Sequence, residues 1–273
     1  MIMSLNPNNR SELALLAEKV RAIAIEGGTF LGKERKSFRR ERVEEKSSHD
    51  YVSYVDKESE KRLVAELSAL LPEAGFIAEE GSGELSTEEY CWVIDPLDGT
   101  TNFIHDNAPY CVSIALRDRN EILLGVVYEV CRSECFWTYK GAPSYLNDEE
   151  IRVSDIVSIN DAFIELGLPY NFNAYKPMAD YLIHSLYGKV GGTRIQGAAA
   201  AELCYIAAGR FEARIEAFLG PWDIAAGSLI LMNAGGKVTD FSNGDSFYSG
   251  QEVLASNGKL HQDLLNIIQQ FHP

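Results

Sequence analysis

Residues 92–103 read Trp-Val-Ile-Asp-Pro-Leu-Asp-Gly-Thr-Thr-Asn-Phe and set two carboxylates, Asp95 and Asp98, three positions apart around a proline. Carboxylates this close repel each other, and a fold avoids burying such a pair without a cation between them. Mg2+ takes oxygen ligands and keeps coordination sites open for water and phosphate. Gly99, Thr100 and Thr101 follow at once, offering backbone N–H groups and hydroxyls suited to phosphate oxygens. The segment reads as a metal-assisted phosphate site. The bland alternative is a capped turn in which Asp98 caps a helix starting near Gly99, but a cap has no use for Asp95. Two further acidic segments join it. Glu79-Glu80 precedes Gly81-Ser82-Gly83 at the end of an apolar run, and alone would read as a solvated turn. Asp223, in Pro221-Trp222-Asp223-Ile-Ala-Ala-Gly227, stands where it could be the N-cap of a helix while a second oxygen stays free for a metal.

The elements that must position these groups alternate between helix and strand. Ser11 to Ile25 carries Leu13, Leu16, Val20 and Ile23 at helical spacing, with Ser11 as the expected N-cap. Glu34 to Asp50 is dense in mixed charge and reads as an exposed, mobile loop or hairpin. Asp56 precedes a second helix that ends before Pro72. The short apolar runs Phe76–Ala78 and Tyr90–Ile94 deliver Glu79 and Asp95 respectively. Strands are expected at Cys111–Leu116, Ile122–Tyr128, Glu134–Tyr139, Asn147–Val153, Ala162–Leu166, Phe211–Glu216 and Lys237–Asp240. Helices are expected at Tyr175–Tyr187, Ala198–Ala208, Asp223–Asn233 and Leu260–Phe271. No linker or internal repeat divides the chain, which favours layered α/β or α+β architecture in one compact unit.

Composition removes several classes. The 273 residues carry a net charge of -15, which argues against nucleic acid or an anionic membrane as partner. The five cysteines lack a completing Cys or His pair for a zinc site, so reduced thiols are expected. Residues 1–10 are polar, without a signal-peptide core, and no run approaches the roughly 18 apolar residues of a membrane span. The cytoplasm is the expected compartment. The five histidines show no paired-ligand spacing, and neither a serine-hydrolase elbow nor a dinucleotide fingerprint is present.

Together, Ala78-Glu79-Glu80-Gly-Ser82, Asp95-Pro-Leu-Asp-Gly-Thr-Thr-Asn102 and Trp222-Asp223-Ile-Ala-Ala-Gly227 resemble the inositol monophosphatase family of Mg2+-dependent, lithium-sensitive phosphatases. The likeness runs loosely from about residue 11 to the carboxyl end. It implies an α/β (α+β) fold, a five-layered αβαβα sandwich of the inositol monophosphatase and fructose-bisphosphatase type. One domain would span 1–273, in two closely packed halves of approximately 1–145 and 146–273, and would pair as a homodimer. The resemblance makes Glu79, Asp95, Asp98, Asp223 and the backbone carbonyl of Leu97 the metal ligands. Two or three Mg2+ are implied per site, with Mn2+ or Ca2+ as substitutes in binding. Gly99 and Thr100 match phosphate contacts, with Thr100 beside Glu79 in activating the attacking water. Metal coordination would make that water acidic and a second cation would stabilise the leaving alkoxide. Asp56 matches a supporting aspartate, and Lys46 a mobile-loop lysine reached across a one-residue gap, with a solvated surface charge as its alternative. Ala199 and Glu216 match substrate-facing positions.

The expected activity is hydrolysis of a small sugar or polyol phosphate, with myo-inositol 1-phosphate the leading candidate. Fructose 1,6-bisphosphate or histidinol phosphate are alternatives on the same chemistry. Ala198 replaces a Ser or Thr of many relatives and weakens the case for inositol phosphates, while Thr101 in place of a lysine points away from phosphoadenosine phosphate. A non-catalytic, metal-stabilised scaffold is the reading of another class.

Overall fold

The apolar run of residues 91–94 followed by Asp-Pro-Leu-Asp forms the strand around which the molecule is layered. The computed structural model describes residues 5–39, 43–47, 50–81, 88–170 and 172–271, with backbone alone for 43–47, 50, 51 and 250. A seven-stranded sheet holds β3 (Gly75–Ala78), β4 (Cys91–Asp98), β5 (Cys111–Arg117), β6 (Ile122–Glu129), β7 (Glu134–Tyr139), β8 (Ser144–Leu146) and β9 (Glu149–Ile151), neighbours in that order. The β3–β4 pair is parallel and the others are antiparallel. A five-stranded sheet runs β11 (Gly192–Arg194), β10 (Phe163–Leu166), β12 (Ala213–Ala217), β14 (Glu252–Ser256) and β13 (Lys237–Thr239). A hairpin, β1 (Val43–Ser47) with β2 (Asp50–Ser53), stands apart from both. Strands through Ile151 belong to the hairpin or the large sheet, and those from Phe163 on to the small sheet.

Period-two alternation sorts each strand between two layers of core. Trp92 and Ile94 face α1 (Arg10–Ser37) and α2 (Tyr54–Leu70), packing with Leu13, Val20, Leu63 and Leu67. Val93, Ala115 and Val127 face the other way, onto α5 (Ala199–Ala207) and α6 (Pro221–Asn233). Those two helices also receive Val253 and Ala255 of the small sheet, whose opposite face packs Ile164, Ile215 and Leu254 on α4 (Phe172–Leu186) and the last helix (His261–Phe271). The result is the expected αβαβα order. At β6 the approach of α6 is so close that a Cβ on Gly125 would lie 2.7 Å from the carbonyl oxygen of Ala226.

Several sequence expectations move. The first helix continues to Ser37 and is capped by Asn9, whose side chain accepts from the amides of Ser11 and Glu12, so Ser11 is not the cap. The charged stretch from Glu34 is helix through Ser37, because Leu31 and the residues before it still bury a face on the sheet. Its later part is the β1–β2 hairpin. The expected strand over 147–153 shortens to Glu149–Ile151, behind a turn in which Asn147 adopts φ 54. Gly192–Arg194, unassigned by pattern, is an edge strand, and Thr100–His105 is a short helix, α3.

The Gly125 contact is testable. Gly125→Ala should lower stability by about 1–3 kcal/mol, seen as a fall in Tm, whereas an unchanged Tm would show that α6 does not press on β6 there.

Candidate active site

A regular strand would send Asp95 and Asp98 to opposite faces, because residues three apart differ in parity. The register shows how this is avoided. Asp95 pairs with Ser113 and Asp98 with Cys111, so three steps on β4 oppose two on β5, with a bulge at Pro96–Leu97. Pro96 has no ladder proton to lose, which suits it to that place. Its carbonyl is held by the hydroxyl of Ser59 at 3.1 Å, and Asp95 Oδ1 accepts the Leu97 amide at 2.9 Å. The two carboxylates thereby share a side. Asp223, in the first turn of α6, completes the group: one carboxylate oxygen from each of Asp95, Asp98 and Asp223 lies within 4.8 Å of the others.

Each carboxylate is anchored by backbone. Asp98 accepts from the amides of Ala199 at 3.1 Å and Ala200 at 2.8 Å, and from the Cys111 thiol. Asp98 therefore caps the head of α5, across the chain; it does not cap the helix at Gly99. Asp223 accepts from the Gly220 amide at 2.6 Å. It is the third residue of its helix, where Gly220 is the N-cap, so the expectation that Asp223 is the cap itself does not hold. Glu79 leaves the end of β3, and the adjoining turn is fixed by buried Glu60, which accepts the Glu80 amide at 2.7 Å.

Burial, then the charges of Glu79, Asp98 and Asp223, push the Asp95 carboxyl well above the ordinary range. Burial, followed by Asp98 and Glu79, does the same to Asp223. Asp98 is pushed up to about 6, burial outweighing its hydrogen bonds and the field of Arg214. These are carboxylates whose ionised forms repel each other, in a site with oxygen donors and, among the described residues that line it, no thiol or imidazole. That donor set fits a hard divalent cation such as Mg2+.

A cleft of about 550 Å³ opens over the cluster. Glu79, Asp95, Leu97, Asp98, Gly99, Thr100, Ala199, Glu216 and Asp223 all line it. Gly99 has φ +85, and a Cβ there would lie 2.9 Å from the Pro109 carbonyl, so both conformation and space demand glycine. Thr100 Oγ1 stands 2.9 Å from Asp56 Oδ1 and 3.0 Å from the Leu97 carbonyl. Asp56 lies behind the cleft, where its other oxygen accepts from the amide and hydroxyl of Ser53 in a capping box for α2. Ala199 lends the cleft an apolar wall, its amide being engaged by Asp98. Lys46 belongs to β1, and its side chain lies outside the described residues.

Sequence reasoning missed Ser59, Glu60, Asn102, Glu165, Glu202 and Arg214. Asn102 donates to the carbonyls of Pro109 and Gln196, both at 2.7 Å, and so ties α3 to the segment leading into α5. Arg214 is 2% exposed and pairs with Glu202 and Glu216. The available signal was an arginine inside the apolar strand Ala-Arg-Ile-Glu, two residues before Glu216. Nearby Glu165 accepts from Gln196, and burial pushes it up to about 7.

The sequence profile of the inositol monophosphatase family matches residues 12–272. The chain belongs to the inositol monophosphatase family. It is 40% identical to the Nus factor SuhB of Pseudomonas aeruginosa over 240 residues, covering 85% of this chain and 87% of that protein. It is 35% identical to an inositol-1-monophosphatase of Mesorhizobium japonicum, across 94% of this chain and 97% of the relative. Among solved structures, the extragenic suppressor protein suhB of Bartonella henselae superposes with a TM-score of 0.87 at 32% identity, covering 93% of this chain and 98% of the other. Family membership makes this chain an inositol monophosphatase-type phosphatase, with the mixed α/β fold of its relatives. No helix among the described residues is long and apolar enough to cross a membrane.

The raised carboxyls set a pH dependence. A carboxyl whose folded pKa exceeds its unfolded value favours folding while protonated. That stabilisation is complete below the usual value of about 4 and is lost as pH rises through the folded values, near 6 for Asp98. Mg2+ should therefore raise Tm more at neutral pH than at pH about 5. A Mg2+ increment independent of pH, measured by thermal melting, would count against the cluster as the cation site.

Proposed function

We propose that the chain is a Mg2+-dependent phosphomonoesterase that hydrolyses a small polyol phosphate, with myo-inositol 1-phosphate as the leading substrate. The observation that carries this reading is the meeting of Asp95, Asp98 and Asp223 within 4.8 Å, beside Thr100 and beneath an open cleft. On this reading Glu79, Asp95, Asp98, Asp223 and the Leu97 carbonyl hold two or three Mg2+. When bound, Mg2+ supplies positive charge to the phosphate oxygens and acidifies water at the site. The chain's own residues do the rest. Gly99 and Thr100 seat the phosphate at the head of α3. The Thr100 hydroxyl gives its proton toward Asp56 Oδ1 or the Leu97 carbonyl, leaving a lone pair on Oγ1 to accept from the attacking water. Asp56, held by Ser53, keeps that hydroxyl turned the right way. Glu216 accepts a hydrogen bond from a hydroxyl of the leaving group, and Ala199 closes the wall beside it.

The reading includes lithium sensitivity, a cytoplasmic setting and a homodimer, for which exposed Ile183 and Tyr187 at the end of α4 offer apolar surface. Fructose 1,6-bisphosphate and histidinol phosphate remain alternative substrates of the same machinery. A second reading has one observation behind it: the Pseudomonas aeruginosa relative is named a Nus factor, a name that does not mention hydrolysis. On that reading the acidic cage stabilises a scaffold through bound metal.

Phosphate release from a panel of phosphomonoesters, with Mg2+, with EDTA and with added Li+, separates the two. Turnover that requires Mg2+ and falls with Li+ is expected, and turnover surviving EDTA would sink the metal mechanism. No turnover on any ester would favour the scaffold. Asp95→Asn and Asp223→Asn should each cost more than about 100-fold in activity while remaining folded by circular dichroism. Wild-type rates in either variant would remove that residue from the site.

A further inference from the structure

Glu216 is the carboxylate that the small sheet places in the cleft, able to accept a hydrogen bond from a leaving group, and two features fix where it lies. Arg214 and Glu216 stand two residues apart on β12 and share its inner face, while Ala213, Ile215 and Ala217 pack into the outer core. Both line the cleft. A buried guanidinium is costly unless paired, and this one is held at both ends. Nη1 meets Glu202, and Nη2 donates to Glu216 Oε2. Glu202 is itself fixed, since its Oε1 accepts the Ala198 amide at 2.9 Å at the head of α5. On the opposite side Glu216 lies over Gly167, where a Cβ would stand 2.0 Å from the Glu216 carboxyl carbon. The carboxylate occupies space that only glycine leaves, with its far oxygen tied to a fixed cation.

We propose that Arg214 is a positioning residue which, with the open backbone at Gly167, locks Glu216 as a pre-oriented acceptor and so selects leaving groups that carry a hydroxyl beside the ester. This rests on the phosphatase reading above. An ionised carboxylate accepts and cannot donate. A site built around such an acceptor discriminates against analogues that lack the matching hydroxyl, because the acceptor is then left unpaired. Arg214 also links the two ends of the cleft. The head of α5 gives the Ala198 amide to Glu202, and those of Ala199 and Ala200 to Asp98. The leaving-group acceptor and the metal carboxylates are thus referred to one rigid helix end.

The test is the ratio of kcat/KM for myo-inositol 1-phosphate to that for p-nitrophenyl phosphate, which offers no such hydroxyl. Arg214→Met and Gly167→Ala should each lower this ratio by about tenfold or more, mostly through KM for the inositol ester. Arg214→Lys should recover part of it. In a Glu216→Ala background, Arg214→Met should lower the ratio no further. A ratio unchanged in Arg214→Met and Gly167→Ala overturns the proposal, as does an equal further loss without Glu216. Should Arg214→Met fail to fold by circular dichroism, Gly167→Ala and Arg214→Lys decide, and a wild-type ratio in both overturns it. A wild-type chain that turns over neither ester overturns the inositol-phosphate reading and this inference with it, whereas turnover with an unmoved ratio overturns this inference alone.

Discussion

The site depends on one irregularity, the extra residue in β4 that brings Asp95 and Asp98 to the same side of a buried strand. Without it, the odd spacing would place one carboxylate in the α1/α2 core, unpaired and uncharged. With it, two like charges face each other at low dielectric, an arrangement that is stable only with protons or a cation. Much of the surroundings serves to hold that bulge. Ser59 of α2 holds the Pro96 carbonyl, and the amides opening α5 hold Asp98. Asp223 is set against them by the tight packing of α6 on β6, where Gly125 leaves room for the helix backbone.

The cleft draws its residues from both sheets. The large sheet and α2 supply Glu79, Asp95, Asp98 and, through Asp56, the orientation of Thr100. The small sheet supplies Glu216, Arg214 and the open backbone at Gly167. The central helices belong to both: α5 gives its amides to Asp98 on one side and holds Glu202 for Arg214 on the other. On the proposed function this means that the phosphate-handling and leaving-group ends of the cleft keep a fixed separation. A change in either sheet's packing would be felt as a misplaced substrate.

The alternation of helix and strand was legible in the sequence, because apolar periodicity is a local signal, whereas the order of layers came only with the family resemblance. The local signal also misled. Asp98 and Asp223 each look like the cap of the helix that follows, yet Asp98 caps a helix 101 residues further on, and Asp223 closes a box onto Gly220. Spacing along a chain cannot reveal a partner reached through tertiary packing. The bulge was hidden for a similar reason, since parity is broken by the partner strand's register and not by residue type. The charged end of α1 read as loop because its buried face is sparse, and that helix is sustained by the sheet beneath it. Arg214 was passed over since a lone arginine in a strand ordinarily marks an edge. Here the flanking carboxylates that make it tolerable come from α5 and from its own strand.

The central claim is that carboxylates from three distant segments are brought together to hold cations. Crystals grown with Mn2+ in place of Mg2+, with anomalous scattering measured at the manganese edge, test it most directly. Anomalous peaks among Glu79, Asp95, Asp98 and Asp223, reaching the Leu97 carbonyl, are the result expected. Well-ordered crystals with Mn2+ elsewhere, or with these carboxylates turned apart and no peak between them, would contradict it.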